Sequence, residues 1–496
     1  MRARTSTASC CANSASYRSN PAGARLRTLV WFRGKDLRVA DHEPLRVAAN
    51  DGEVIPLFVL DDHFFAPAAA RRTPFRVQFL LDSLASLAAN LEHLGSRLVV
   101  VEGRSVEQLP RLAQLWKVDR VMAQSWVAPV GRARDRAVAK ALAVPLELVD
   151  SETLTRPGSL RTGAGDPFSV FTAFARAFER DVKVSAPLAA PRTLPPVPAD
   201  VRTRSSAIPS LESLGLTRNT RVQEGGERSA RARLKRWLAG DAKDYDELRN
   251  RMDLPGTSRL SADLKFGTLS VRAVWHAVTR ALTDLSPDAL RVYRNELLWR
   301  EFAHSTLFDR PRLLHETFRP EWRGFPWRSD ESGWRAWVEG RTGYPVVDAA
   351  ARELLATGFV HNRARMIAAS FLAKHLLIDF RRGERHYFEL LTDGDWANND
   401  AGWQWSAGCG CDAQPWFRIF NPVTQGEKFD PEGGYVRTWL PELARLDSKH
   451  IHAPWLAPPA ALAAAGLRLG TDYPHPIVDH AAARSRFLDA AKQHLK

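Results

Sequence analysis

The feature that most constrains this chain is a change of period partway along it. Short apolar stretches at 28–32, 54–60, 97–101, 120–123 and 146–149 read as buried strands, and helical periods over 76–94 and 106–116 lie between them. Strand and helix in alternation predict a parallel sheet with helices on both faces. From about residue 226 onward the apolar period is helical throughout. The fold class expected is therefore α/β plus all-α: a Rossmann-like parallel domain over 28–155, a linker over 156–225 and an all-helical domain over 226–485. Six prolines between Pro187 and Pro209 mark the connector. Residues 1–27 and 486–496 are expected as tails. No GxGxxG follows the first strand, so the usual dinucleotide site has no support there.

With 70 basic against 56 acidic residues, the chain carries a net charge of +14. That excess fits a polyanionic partner such as nucleic acid, and it also fits an Arg-rich proteome with no such partner. No apolar run is long enough for a membrane span. Four cysteines do not make a disulfide framework at this length, so a reducing compartment is expected. Cys409 and Cys411 form a CxC with no further ligands nearby, and no metal is expected there. Residues 1–27 hold five arginines and no acid. They lack the apolar core of a secretory signal. A transit peptide, a disordered tail and an over-extended start all remain open.

Thirteen of the sixteen tryptophans lie after residue 226, and unusual chemistry would belong there. In VYRNELLWREF (292–302), helical spacing puts Tyr293, Glu296, Trp299 and Arg300 on one face, which suits a flat heterocycle. A plain amphipathic helix with a Glu–Arg pair fits too. In the stretch 359–380, read as a second long helix, Asn362, Arg365 and Met366 share a side and Arg363 points away, within reach of a phosphate. A core helix with a charged end is the alternative. PGTSRLSADLKFG (255–267) offers Thr257, Ser258 and Ser261 hydroxyls at a helix start, as a phosphate cradle or an ordinary cap. The loop 412–433 carries Arg418 and Lys428 among aromatics, as a nucleic-acid-facing or merely solvated surface.

Taken in order, VWFRGKDLRVADHEPL, GTSRLS, NELLWREF, TGYPVVDAAARELLATGFVHNRARMIAASFL, DGDWANNDAGWQW and DAQPWFRIFNPVTQGEKFDPEGGYVRTWLPEL resemble the photolyase/cryptochrome family. The likeness is nearest to class I cyclobutane pyrimidine dimer photolyases and runs from about 28 to 485. It implies an antenna domain, a helical domain holding FAD, and light-driven electron donation to a pyrimidine dimer flipped out of UV-damaged DNA. It implies FAD contacts at Tyr245, Thr257, Ser258, Arg259, Leu260, Ser261, Tyr293, Glu296, Arg300, Asn362, Arg365, Asp393, Asp395 and Asn399, with Asn399 facing flavin N5. It implies dimer contacts at Glu296, Trp299, Met366 and Trp405, and phosphate contacts at Arg249, Arg363, Arg418 and Lys428. Trp403 and Trp327 match the inner and outer members of the family's tryptophan relay.

The chain departs from that pattern in three places. The middle relay position falls on Phe380, which is hard to oxidise, so photoreduction is expected to be slow or to detour through Trp396 or another aromatic. The loop WVAPVGRARD (126–135) leaves the second chromophore open among folate, deazaflavin and flavin. FRGKDLR carries one residue more than the family's usual spacing. The alternative function is a cryptochrome-type photoreceptor without repair; Asn399 and the dimer contacts weigh against it. A (6-4) lesion specificity lacks its histidine pair in HNRARM. A monomer is expected, cytoplasmic in a bacterium, nuclear or organellar in a eukaryote.

Overall fold

The structure, a computed structural model, describes residues 25–202 and 205–495. Cys10, Cys11 and most of the expected N-terminal tail lie outside the described residues. The expected tail ends earlier than read, because Leu26 and Arg27 already belong to the first strand.

Five parallel strands form one sheet: β1 (Leu26–Phe32), β2 (Gly52–Leu60), β3 (Val99–Glu102), β4 (Arg120–Gln124) and β5 (Leu146–Val149), in the order β3-β2-β1-β4-β5. Crossover helices α1 (Glu43–Asp51), α2 (Pro74–His93), α3 (Ser105–Leu115) and α4 (Pro129–Ala141) cover both faces. Alternate side chains of β1 explain why both faces are apolar. Val30 and Phe32 pack towards Leu80, Leu84 and Leu87 of α2, whereas Leu29 and Trp31 pack towards Leu109 and Leu112 of α3. Strands buried on both sides read as continuous apolar runs, which is how they show in the sequence. The strand order reverses between β1 and β4, where open α/β sheets leave a crevice.

The expected linker is not a bare connector. It holds α5 (Phe171–Asp181), whose Phe174 and Phe178 pack with Leu298 and Phe302 of α7 (Pro287–Asp309). Phenylalanines at 171, 174 and 178 mark a helical stripe that the neighbouring prolines obscured. The proline-rich part is a strap with Leu194, Leu211 and Leu214 buried in the α/β domain.

In the helical domain α6 (Ser261–Phe266) precedes α7, and α8 (Glu331–Glu339) follows it. The stretch 359–380 is not one long helix. It comprises α9 (Asn362–Ser370), one π-helical turn over Phe371–His375, and a break at Leu377, whose φ is +54°. The next helix, α10 (Phe380–Leu390), starts afresh with the Asp379 carboxylate accepting from the N–H of Arg381. Then come α11 (Trp396–Ala407) and α12 (Pro422–Phe429), so Lys428 sits on a helix rather than in a loop. The expected C-terminal tail is the end of α13 (His480–His494), which buries Phe487 and Ala491 in the helical core.

Candidate functional site

A cavity of about 560 Å³ opens in the helical domain. Every cofactor and dimer contact expected from the sequence lines it, from Tyr245 through Thr257–Ser261, Tyr293, Glu296, Trp299, Arg300, Asn362, Arg365, Met366, Asp393, Asp395 and Asn399 to Trp405; Trp403 lines it as well, and so does Arg249, expected as a phosphate contact. Trp327, Arg363, Arg418 and Lys428 do not.

One end is rich in hydroxyls. Tyr293 is buried against Trp237 and Tyr245, at ring separations of 4.5 and 5.0 Å, and its hydroxyl donates to Ser258 Oγ at 3.0 Å. Arg259 adopts φ +52° and lays its guanidinium 3.9 Å from the centre of the Phe359 ring. Burial lowers its pKa. That turn holds a cation and three hydroxyls at the wall ahead of α6.

The other end is built on α9 and α11. His361 caps α9: its Nδ1 accepts from the N–H of Arg363 at 3.2 Å. A ring that accepts there is neutral, and burial together with neighbouring arginines lowers its pKa to about 4. Arg365, one turn in, reaches Asp393 at 2.9 and 3.2 Å and also donates to the Val360 carbonyl at 2.7 Å. Asp395 caps α11, accepting from the N–H groups of Ala397 and Asn398 at 3.1 Å. Its other oxygen is held by Lys35 at 2.9 Å, so Asp395 serves as a support in the wall. Asn399 donates from Nδ2 to the Glu384 carbonyl at 3.0 Å. That bond orients the amide and leaves Oδ1 as an acceptor.

At another wall of the cavity, Trp299 stacks on Phe171 of α5 at 3.8 Å and 6°. The former linker thus stiffens one wall. Arg249 pairs with Glu296 at 2.7 Å, which places it inside the cavity rather than out at a rim. Burial raises the Glu296 pKa and Arg249 opposes it. Arg363 is tied to Asn250 Oδ1 at 2.6 Å and lies over Phe429. Arg418 and Lys428 are exposed. Between Cys411 and Arg418 the chain exposes Phe417 by 59%, a large apolar ring beside a cation, which sequence reasoning missed. Also missed were Lys265, Phe359, His361 and Tyr387, which line the cavity. Of these only His361, with its capping side chain ahead of a helix, left a sequence signal.

From Trp403 a continuous run of aromatic rings leads away from the cavity. Buried Trp403 meets Trp337 at 6.1 Å and Tyr387 at 5.2 Å, and Trp337 stacks on half-buried Trp334 at 5.5 Å. Phe380 meets Trp327 edge-on at 6.2 Å. Trp396, the detour named from sequence, stacks on Phe388 instead, at 3.9 Å.

A second basic and aromatic place lies in the α/β domain, beyond the ends of β1 and β4. The guanidiniums of Arg33 and Arg134 lie over Trp31 and Trp126 and share the single carboxylate of Asp135, at 2.5 and 2.9 Å. Arg33 is 3% exposed, yet its Nε and Nη2 are buried without a hydrogen-bond partner. Gly131 allows this packing, since a Cβ there would lie 2.6 Å from the Trp126 ring.

Comparison with known proteins places this geometry. Residues 28–196 match a family model described as DNA photolyase, and residues 293–493 match one described as the FAD binding domain of DNA photolyase. The deoxyribodipyrimidine photo-lyase of Agrobacterium fabrum is 39% identical over 471 residues, 93% of this chain and 97% of that protein. The solved class III photolyase of Agrobacterium tumefaciens superposes with a TM-score of 0.88 at 39% identity, covering 96% of this chain and 99% of that one. The Synechocystis cryptochrome does so with a TM-score of 0.87 at 32% identity, covering 94% and 99%. The chain belongs to the DNA photolyase family.

Proposed function

We propose that this chain repairs cyclobutane pyrimidine dimers in DNA under blue light, with FAD as the electron donor. The observation that carries the reading is the single cavity, in which flavin-type and lesion-type residues meet. The residues fit FAD by their chemistry. The hydroxyls of Thr257, Ser258 and Ser261 with Arg259 suit a pyrophosphate and its ribose. The Arg365–Asp393 pair and the amides of Asn362 and Asn399 suit the polar edges of the two ring systems. Bound reduced FAD would supply the light-driven electron.

The chain's own part is binding and orientation. Asn399 Oδ1 would accept from the N5–H of reduced flavin, because its amide nitrogen is already committed. Glu296, with its pKa raised by burial, would present a carboxyl to the base edges and Arg249 would balance its charge. Trp299, backed by Phe171, and Trp405 would stack on the flipped bases, at about 1–3 kcal/mol per base. Met366 would contact them. Arg363, Arg418 and Lys428 would hold phosphates. Phe417 would fill the gap left in the duplex, as apolar wedges do between base steps. Every one of these groups comes from one chain, so a monomer suffices.

The crevice at β1 and β4 would take an acidic second chromophore, supported by the unmatched donors of Arg33. Loading apoprotein with folate, deazaflavin and flavin mononucleotide separately would identify it. Among the described residues no helix is long and apolar enough to cross a membrane. Homology to bacterial proteins fits a cytoplasmic site of action.

The test follows thymine-dimer loss under blue light with chemically reduced protein. Wild type repairs; Glu296→Ala and Trp299→Ala each repair at least about tenfold more slowly, a loss of ~1.4 kcal/mol, while retaining flavin. A flavin-loaded chain that leaves dimers intact would favour the photoreceptor reading.

A further inference from the structure

Lys35, within FRGKDLR, is buried, 7% exposed. Its ammonium holds the carboxylate of Glu152, just past β5, and Asp395 Oδ2 at 2.9 Å. The second Glu152 oxygen accepts from the N–H of Val127 at 2.9 Å. His304 of α7 closes the group. Its Nε2 stands 3.4 Å from Glu152 and 3.6 Å from Asp395, and its Nδ1 lies 2.8 Å from the Arg300 carbonyl. Glu152, His304 and Asp395 place ligand-type atoms within 4.8 Å of one another, as a divalent cation would require. A lysine ammonium from the chain itself stands in the cation's place.

The two acids belong to different domains. Glu152 follows the sheet, whereas Asp395 caps the helix that carries Asn399 one turn on and Trp403 two turns on. Burial pushes both carboxyls upward. Lys35 and His304 outweigh it, so Glu152 sits at about 2 and Asp395 lower still. Two buried anions this close are tolerated only with a cation between them. Without Lys35 they would repel across the domain boundary, and the start of α11 would shift.

We propose that Lys35 is a positioning residue: it pins the capping carboxylate of α11 to the α/β domain and balances the charge beside the flavin pocket. It acts through Asp395 and touches no substrate. The inference rests on the reading of the cavity as a flavin site, but not on repair.

The experiment measures FAD affinity and the flavin midpoint potential of the full chain without DNA, for wild type, Lys35→Met, Glu152→Gln and the double variant. Counting Lys35, Glu152 and Asp395 alone, the three carry a net charge of −1 in wild type, −2 in Lys35→Met, 0 in Glu152→Gln and −1 in the double variant. Lys35→Met is expected to bind FAD about tenfold more weakly. Its potential is expected to move negative, because added negative charge disfavours the reduced anion. Glu152→Gln should move the potential positive, and the double variant should return it to the wild-type value. A loss of packing alone would not reverse sign with charge. Potentials that stay together across the series overturn the proposal. If Lys35→Met fails to fold, Glu152→Gln decides: an unchanged potential overturns the proposal and a positive shift supports it. A wild-type chain that binds FAD and repairs nothing would defeat the functional reading and leave this one standing.

Discussion

Two aromatic regions border the inner helices, and they differ in which rings they bring together. In one, Trp403, Trp337 and Trp334 follow one another at 6.1 and 5.5 Å and end half-buried at the surface. In the other, Trp327 lies among Trp322, Phe325 and Phe380. Both are dense and apolar. Only the first offers an oxidisable ring at each step, because Phe380 holds the place in the second where a hole would need to rest. A relay depends on which rings touch. Position in a family pattern found Trp327, while packing found Trp337.

The largest effect that could break this comparison is on photoreduction. Trp337→Phe should slow blue-light reduction of oxidised flavin, with an external reductant present, by at least about tenfold. Trp327→Phe should leave the rate within a factor of about two. The reverse ranking would show that electrons pass Phe380 after all.

Acid tests the pocket apart from the relay. His361 caps α9 as a neutral ring, and its pKa is lowered to about 4. A histidine depressed in the folded state binds fewer protons than the unfolded chain. Its stabilisation is complete above the unfolded value of about 6.5 and is lost as pH falls from there to about 4, by up to about 3 kcal/mol. Denaturant melts at pH 7.5 and 5.0 should show the loss together with release of flavin. His361→Gln should reduce the loss; buried His375 and half-buried His386, lowered to about 3 and about 4, supply the remainder. Relay kinetics should be compared above pH 6.5 for that reason.

Packing sharpens the comparison at its first step. A Cβ on Gly383 would lie 2.2 Å from the Trp403 ring and 2.5 Å from Leu372. Gly383→Ala should therefore cost about 1–3 kcal/mol of stability and also slow photoreduction by displacing Trp403. An alanine variant that melts and photoreduces like wild type would mean the ring has room to move.

The smallest effect lies at the exit. Arg382 sits 4.2 Å over the Trp334 ring and is paired with Glu331. A cation there opposes a hole on the indole, and Glu331 offsets part of that effect. Arg382→Gln should speed photoreduction by about two- to threefold, consistent with the modest worth of exposed charges. A slower variant would place the exit ring elsewhere.

Much of the cavity was legible in the sequence because α7, α9 and α11 carry their contacts at helical spacing within short motifs. Glu296 and Arg300 are one turn apart, as are Asn399 and Trp403. The linker helix was not legible, since a single phenylalanine stripe among prolines does not say which surface it will cover. Trp337 and Lys35 were equally hidden. Their partners lie 66 and 360 residues away in the chain, and no local pattern records such pairs.

The sequence by itself determined the parallel α/β half, the helical half and most of the residues that line one cavity. Period and motif are local properties, written in consecutive residues. Tertiary structure alone decided which rings pack against Trp403, that Phe171 backs Trp299, and that an ammonium from the sheet domain reaches the capping carboxylate of α11. Those outcomes depend on side chains from distant segments competing for the same few ångströms of buried space.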